Sequence, residues 1–254
     1  MFDALTMSLI AFVLIAAGGF IGVLLRNLLP EHHLSADSKD VIRLGSGLIA
    51  TIAALVLSLL ITSAKSSFDA QSNQIKDITA NIVLVDYLLA EYGPESHAVR
   101  DLARRAVVVL VNRIWRENGS GTLWTAPFGP TDEAERTFAK LQELSPQNDT
   151  QRYIKGRVIE TFTQIARSRL ILFEYSGSSL PLPFLAVLIF WLAVIFASFS
   201  LFSRLSATAV VALSIFALSA SGAIFLILEM NQPFTGLMQI SKLPLLNALA
   251  PLER

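Results

Sequence analysis

The sequence contains no cysteine and few charged residues, and both shortages narrow the kind of protein that it encodes. Without cysteine the chain cannot form a disulfide, a thiolate metal site, a cysteine nucleophile or a thiol redox switch. Only 16% of its 254 residues are charged, whereas a soluble domain usually carries about 25%. Because the formal net charge is zero, nothing in the composition favours a nucleic-acid partner, and we expect none.

The shortage of charge is confined to the two ends of the chain. Of the Asp, Glu, Lys and Arg residues, 28 lie between Lys65 and Glu174, 14 of each sign. Four apolar runs lie outside that region, at residues 4–25, 44–64, 182–201 and 205–228. Each is about as long as the roughly 20 residues that a helix needs to cross a bilayer. The sequence therefore predicts a multi-pass membrane protein in a lipid bilayer, with one transmembrane hairpin in residues 1–64 and another in residues 179–229.

Residues 65–178 are predicted to form an extramembrane helical bundle. Directly after the second run, residues repeat with heptad spacing in two series: Phe68, Ile75, Ile82 and Leu89, and Gln71, Ile78, Val85 and Tyr92. All of them are hydrophobic except Gln71, which forms one polar layer. No helix-breaking residue occurs between Lys65 and Tyr92, and Gly93-Pro94 then ends the helix. We therefore expect the second span and the heptad segment to form one helix from about Ser38 to Tyr92, with coiled-coil character.

Three further helices complete the predicted bundle. They are expected at about Glu95 to Glu117, from Thr131 to just before Ser145-Pro146, and from Asp149 to Tyr175. The last of these has an apolar side that comprises Ile154, Val158, Phe162, Ile165 and Phe173. No long segment alternates as a strand does, so the predicted fold is all-α: four transmembrane helices, with a helical bundle between spans two and three.

The C-terminal segment, residues 230–254, is apolar but is interrupted by three prolines, at Pro233, Pro244 and Pro251. It is too broken to cross a membrane. We expect it to lie at the membrane interface or to pack against the bundle.

The orientation follows from the basic residues that flank the spans. One side of the membrane would carry Arg26, Lys39, Arg43 and Arg204, and the other side would carry Lys65, Lys76 and Lys242. Because basic residues favour the cytoplasmic side, a count of four against three slightly favours a periplasmic bundle in a bacterial inner (plasma) membrane. The opposite orientation, with a cytoplasmic bundle, stays open.

No catalytic, cofactor-binding or metal-binding motif occurs in the sequence, so we do not expect an enzyme. HExxH, P-loop, GxSxG and calcium-loop patterns are all absent. The adjacent His32 and His33 resemble a metal site only superficially, because neighbouring histidines on one short loop do not converge easily on an ion.

The second span contains three hydroxyl residues that recur along the helix: Thr51, Ser58 and Thr62. No span carries an acid or a base in its interior, which argues against a proton- or ion-coupled transporter. A passive pore lined by hydroxyls and small residues is compatible with the sequence, and these three residues are its candidate pore-lining set. In the alternative interpretation, the hydroxyls bond to carbonyls of their own helix.

Several longer runs resemble the bacterial DUF4239 family, which is also called bestrophin-like. The runs are HLSADSKDVIRLG at 33–45, LIAT at 48–51, SAKSSFD at 63–69, YGPE at 92–95, RIW at 113–115 and GAIFLILEM at 222–230. Bestrophins are four-span pentameric anion channels with long helices that continue into a cytosolic domain. The resemblance therefore implies a channel and favours a cytoplasmic bundle. It transfers no pore residue, because the second span lacks the aromatic neck of bestrophins and the chain lacks their acidic calcium-binding run.

Two functions remain open at the level of sequence. The first is a homo-oligomeric, bestrophin-like ion channel or pore lined by the second span. The second is a membrane-anchored interaction or sensory module, whose helical domain binds a protein partner and which neither transports nor catalyses.

Overall fold

The protein is all-helical in the part that the computed structural model describes, which is residues 4–30, 36–115, 131–177, 182–203 and 206–248. Those residues contain no strand. The helices are α1 (Ala4–Leu28), α2 (Ala36–Tyr92), α3 (His97–Ile114), α4 (Asp132–Glu143), α5 (Asp149–Gly177), α6 (Leu182–Phe202), α7 (Ala207–Met230) and α8 (Leu243–Asn247), with one 3-10 turn at Pro94–Ser96.

Four of these helices, α1, α2, α6 and α7, are long and apolar enough to cross a membrane. They coincide with the four predicted spans. The chain divides into two compact units. The first unit comprises residues 1–67 and 179–232, and the second comprises residues 68–178 and 233–254.

In the first unit, α1 packs closely against α6 through a backbone contact between small residues. A methyl group added at Gly18 would lie 2.8 Å from the carbonyl carbon of Ala193, and one added at Gly22 would lie 2.8 Å from that of Ala197. From the Gly18–Ala193 contact to the Gly22–Ala197 contact, the residue number rises by four in both helices. α1 and α6 therefore run parallel. The Gly-x-x-x-Gly spacing of Gly18 and Gly22 is therefore a helix-packing site, at which small residues let two backbones approach.

α7 covers another side of α1. Ala11 packs with Ile224, and Ile15 packs with Ala217. Because the residue numbers rise along α1 while they fall along α7, these two helices are antiparallel. At the end of α1, the Arg26 guanidinium donates a hydrogen bond to the carbonyl oxygen of Ser203. The C-terminal ends of α1 and α6 therefore meet.

α2 is a single helix of 57 residues, as the sequence predicts. Asp37 lies in its first turn, where a negative charge stabilises the helix dipole. Gly93 ends the helix with φ 118°, a conformation that residues with a Cβ rarely adopt. The Ser96 hydroxyl then donates to the carbonyl of Leu89, and it also lies 2.8 Å from the carbonyl oxygen of Gly93.

The core of the second unit forms around the heptad residues of α2. Seven of the eight heptad residues are buried, and Phe68 is half-buried. Ile75, Ile78 and Ile82 pack in one cluster with residues of α3 and α5, whereas Val85 and Leu89 belong to a second cluster with Leu141 and Val158. The heptad residues therefore form a face of α2 that packs against other helices of the same chain.

The remaining helices of the second unit begin and end close to the predicted positions. The Thr131 hydroxyl caps α4 by accepting a hydrogen bond from the amide of Ala134 at 3.1 Å. The expected apolar side of α5 is wrong at one residue. Phe173 is 48% exposed, whereas its neighbour Leu172 is completely buried, because the α5 face that meets the core passes through position 172.

The C-terminal segment belongs to the second unit. Ile240 and Leu245 are buried in the same cluster as Trp115. The Trp115 indole donates to the carbonyl oxygen of Ile240 at 2.8 Å, and its ring meets that of Phe234 edge-on, with centroids 5.5 Å apart. Residues 233–248 therefore contribute to this core. Their location at a membrane interface stays a prediction.

Candidate functional site

The apolar part of α2, residues 44–64, buries only a narrow stripe within the chain. Ser46, Ala53, Leu60 and Ala64 are 7%, 3%, 6% and 1% exposed, respectively. Their spacing of seven, seven and four residues places them on one side of the helix. The stripe consists of small residues apart from Leu60, so it permits close approach of a neighbouring helix.

The three candidate pore-lining residues lie on the opposite side of α2. At 100° per residue, Thr51, Ser58 and Thr62 fall within an arc of about 40°, centred roughly opposite Ser46. All three are exposed. The face they occupy extends for about 17 Å along the helix axis.

The surroundings of this hydroxyl face are uncharged, and they are open at Gly47. Gly47 lies one turn before Thr51, and a Cβ added there would meet no atom within 4 Å. No charged residue occurs between Leu44 and Ala64. A surface of hydroxyls, glycine and aliphatic side chains interacts weakly with ions, which suits permeation better than tight binding.

The hydroxyls also bond to their own helix. Thr51 donates to the carbonyl oxygen of Gly47 at 3.0 Å, and Thr62 donates to that of Ser58 at 2.9 Å. The alternative that the sequence left open is therefore realised for these two threonines. Each hydroxyl oxygen still carries lone pairs that can accept a further bond, so the internal bond does not prevent contact with water or with a permeating cation.

A second polar arrangement in the chain was not predicted from the sequence. Asp86 of α2 receives two hydrogen bonds of 2.6 Å from the Arg100 guanidinium, and Arg104 lies 3.3 Å away. The side chains of Asp86 and Arg100 are only 12% and 18% exposed. The available signal was the Arg100–Arg104 spacing of one helical turn, which places both cations on one face of α3.

No metal centre is formed by the residues that the structure describes, since none of them cluster as three or more histidine, aspartate or glutamate ligands. His32 and His33 lie outside the described ranges. His97 begins α3 and is exposed.

The comparison with protein families identifies the fold. The model of the Bestrophin-like domain matches residues 13–245, which is most of the chain and includes α2, α6, α7 and the greater part of α1. The chain belongs to the bestrophin-like family. The resemblance seen in the sequence is thereby confirmed. No curated protein matches the chain.

Solved structures of a bacterial bestrophin homologue from Klebsiella pneumoniae share this bestrophin-like fold. One variant of that protein superposes with a TM-score of 0.65 at 14% identity, covering 95% of this chain and 98% of the other. A second variant gives 0.66 at 13% identity, covering 95% and 96%. A third gives 0.62 at 14% identity, covering 98% and 95%. The similarity therefore extends over nearly the whole chain, although few residues are identical.

Proposed function

We propose that the protein is the subunit of a homo-oligomeric ion channel in a bacterial inner membrane. In this channel, the face of α2 with Thr51, Ser58 and Thr62 lines the pore. One observation carries the proposal: the apolar part of α2 buries one stripe within its own chain and leaves the opposite, hydroxyl-bearing face open. Membership of a family whose members are ion channels and not enzymes supports it.

The proposal requires several copies of the chain. One helix provides only one wall of a conduit, so a closed pore needs α2 helices from neighbouring subunits around a common axis. Small residues of α2 that its own chain leaves exposed, such as Gly47 and Ala54, suit close packing between such helices. The outer surface of the oligomer then contacts the lipid bilayer, and α2 contacts a second copy of the chain.

The absence of cysteine in the natural chain makes a direct test practical. We would introduce one cysteine at a time, as Thr51→Cys, Ser58→Cys and Thr62→Cys, and treat each variant in liposomes with a water-soluble, membrane-impermeant thiol reagent. We expect modification to reduce ion flux by more than about half at a pore-lining position, because the adduct narrows the conduit.

Ser214→Cys on α7 is the matched control. Ser214 is also exposed, and its hydroxyl also bonds to the carbonyl oxygen four residues earlier, Val210, at 2.9 Å. A lipid-facing cysteine at this position should react slowly, and flux should not change. Equal effects at Ser58 and Ser214 would contradict the assignment of the pore face. If the unmodified protein gave neither anion nor cation flux, the membrane-anchored interaction module would replace the channel.

We further infer that residues 65–178 form an extramembrane bundle, on the periplasmic side. The four basic residues near the short loops support this orientation against three on the other side. In intact cells, an impermeant maleimide should label Tyr153→Cys, at a residue that is 73% exposed, while Lys39→Cys should react only after lysis. The reverse pattern would place the bundle in the cytoplasm.

A further inference from the structure

The second unit contains a cavity that the channel proposal does not use. Its volume is about 600 Å³, which is within the range of roughly 300–1,000 Å³ that small-molecule sites occupy. Segments of α2, α3, α4 and α5 surround it, together with Ala248 after α8. All of these segments belong to the second unit, so the cavity lies within one compact body.

The cavity is elongated, because one face of α4 follows its length. Thr131, Ala134, Phe138 and Gln142 all line it, and their spacing of three, four and four residues places them on one side of the helix. From the first to the last of them, this face extends over about 16 Å along the helix axis. A compact molecule would contact only part of the face, so the cavity suits an elongated ligand.

The inner wall of the cavity is apolar. Val85 of α2 lines it together with Val107 and Leu110 of α3, and all three are buried. Phe138 adds an aromatic ring from α4, and it is 37% exposed, whereas Leu141, the other large apolar residue of α4, is completely buried. A hydrocarbon body that covers Phe138 would remove its apolar surface from water, and this burial favours binding.

The charged groups of the lining are already engaged or hydrated. Asp86 receives two hydrogen bonds from Arg100, and it is also paired with Arg104 at 3.3 Å. Arg169, the other cation of the lining, has its own interaction within the protein. Glu135, the remaining acid, is exposed to solvent. A charged ligand would lose hydration in the apolar interior and meet no unpaired charge there, so the lining favours an uncharged one.

Two neutral polar side chains line the cavity on its solvent side. Thr163 of α5 and Gln142 of α4 are both exposed. The Thr163 hydroxyl donates to the carbonyl oxygen of Ile159 at 3.0 Å, so its oxygen can still accept a hydrogen bond. The Gln142 amide offers both donors and an acceptor. A hydroxyl on the ligand can therefore be hydrogen-bonded at this end.

We propose that this cavity binds an uncharged amphiphile with an elongated hydrocarbon body and a hydroxyl head, such as a long-chain alcohol. The body lies along the α4 face that includes Ala134 and Phe138, and the hydroxyl meets Thr163 and Gln142 at the solvent side. The proposal does not depend on channel activity, and the two can fail separately.

The test uses the full-length protein in lipid nanodiscs, free of alkyl detergent, and a decanol analogue with a photoreactive diazirine at the end of its tail. We expect saturable labelling of peptides from α4 and α5, identified by mass spectrometry, and unmodified decanol should suppress it. Decyl sulfate and decyltrimethylammonium, which carry permanent charges on the same tail, should compete at least about tenfold less well. Labelling confined to the spans, or equal competition by either charged compound, would overturn the proposal.

Three substitutions locate the binding. Ala166→Trp should abolish the labelling of α4 and α5, because the indole fills the cavity, and Ala139→Trp repeats the test from the facing helix if the first variant fails to fold. Both alanines line the cavity and are exposed. Gln164→Trp is the control, since Gln164 is exposed on α5 and does not line the cavity. Undiminished labelling in both alanine variants, or an equal loss in the control, would exclude this cavity as the site.

The chain itself contains a competing occupant. Trp124 and Phe128 precede Thr131 in the sequence and lie outside the described residues. We expect a variant with both Trp124→Ser and Phe128→Ser to be labelled as the natural chain is. Labelling that appeared only in this double variant would mean that the protein's own aromatic residues occupy the cavity, and the ligand proposal would then be wrong.

Discussion

At the residue scale, two glycines of α1 determine how closely two spans approach. A side chain at Gly22 would collide with the backbone of Ala197, and one at Gly18 with that of Ala193. Backbone atoms cannot move aside as the end of a flexible side chain can. The spacing of these glycines was visible in the sequence, but their partners on α6 were not, because four apolar helices offer many small residues.

We predict that Gly22→Ala lowers the free energy of unfolding by about 2 kcal/mol or more, as expected for overpacking against backbone. Thermal unfolding in detergent, followed by circular dichroism, measures the change. Gly222→Ala on α7 is the control, since a Cβ there meets nothing within 4 Å. A melting temperature for the Gly22 variant equal to that of the control would exclude the close contact.

A second residue-scale prediction concerns the ion pair between α2 and α3. Asp86→Asn should destabilise the protein by about 2–3 kcal/mol, because it leaves Arg100 partly buried without its charged acceptor. Asp149→Asn should change stability by less than about 0.5 kcal/mol, since Asp149 and Arg152 are exposed on the surface. Chemical denaturation of both variants provides the comparison, and similar losses in the two would argue against a special role for Asp86.

At the scale of the element, α2 is one helix whose two parts have different surfaces. Its first part buries a stripe of mostly small residues and leaves hydroxyl and aliphatic side chains exposed, and its second part presents the heptad residues that form a core. We predict that Ile78→Ala, at a completely buried residue, costs about 3 kcal/mol. Val83→Ala on the same helix, at a residue 39% exposed, should cost less than about 1 kcal/mol.

The C-terminal segment permits a similar comparison between a buried and an exposed leucine that lie eight residues apart. Leu245 is completely buried, whereas Leu237 is 82% exposed. Leu245→Ala should therefore cost about 2–4 kcal/mol, and Leu237→Ala should have little effect on the same unfolding curve. If Leu237→Ala alone reduced membrane extraction or stability, this segment would contact lipid rather than the core.

How far the sequence could predict the structure depended on the kind of contact. The helix limits were predictable because charges, Gly93 and the heptad spacing mark them locally. Phe173 was misassigned because two adjacent apolar residues, Leu172 and Phe173, cannot both face the core, and the pattern does not say which one does. The Asp86 cluster joins two consecutive helices, and its only local signal was the Arg100–Arg104 spacing, which does not show that Asp86 is the acid that these cations meet.

At the scale of the whole molecule, the exposed surface of the spans requires a non-aqueous solvent. α1, α6 and α7 have large exposed side chains, among them Phe20, Phe190 and Phe216. We predict that removal of detergent causes aggregation, and that transfer into lipid nanodiscs prevents it. Size-exclusion chromatography distinguishes the two, and a monodisperse protein in plain buffer would contradict the assignment of transmembrane helices.

The parallel contact between α1 and α6 has a consequence for biosynthesis. Gly22 and Ala197 are separated by most of the polypeptide, so α1 reaches the membrane long before its partner is translated. At about 5–20 residues per second, the delay is on the order of ten seconds. During that time the glycine surface of α1 has no α6 to meet, and an insertase or a neighbouring nascent chain could shelter it until translation delivers Ala193 and Ala197.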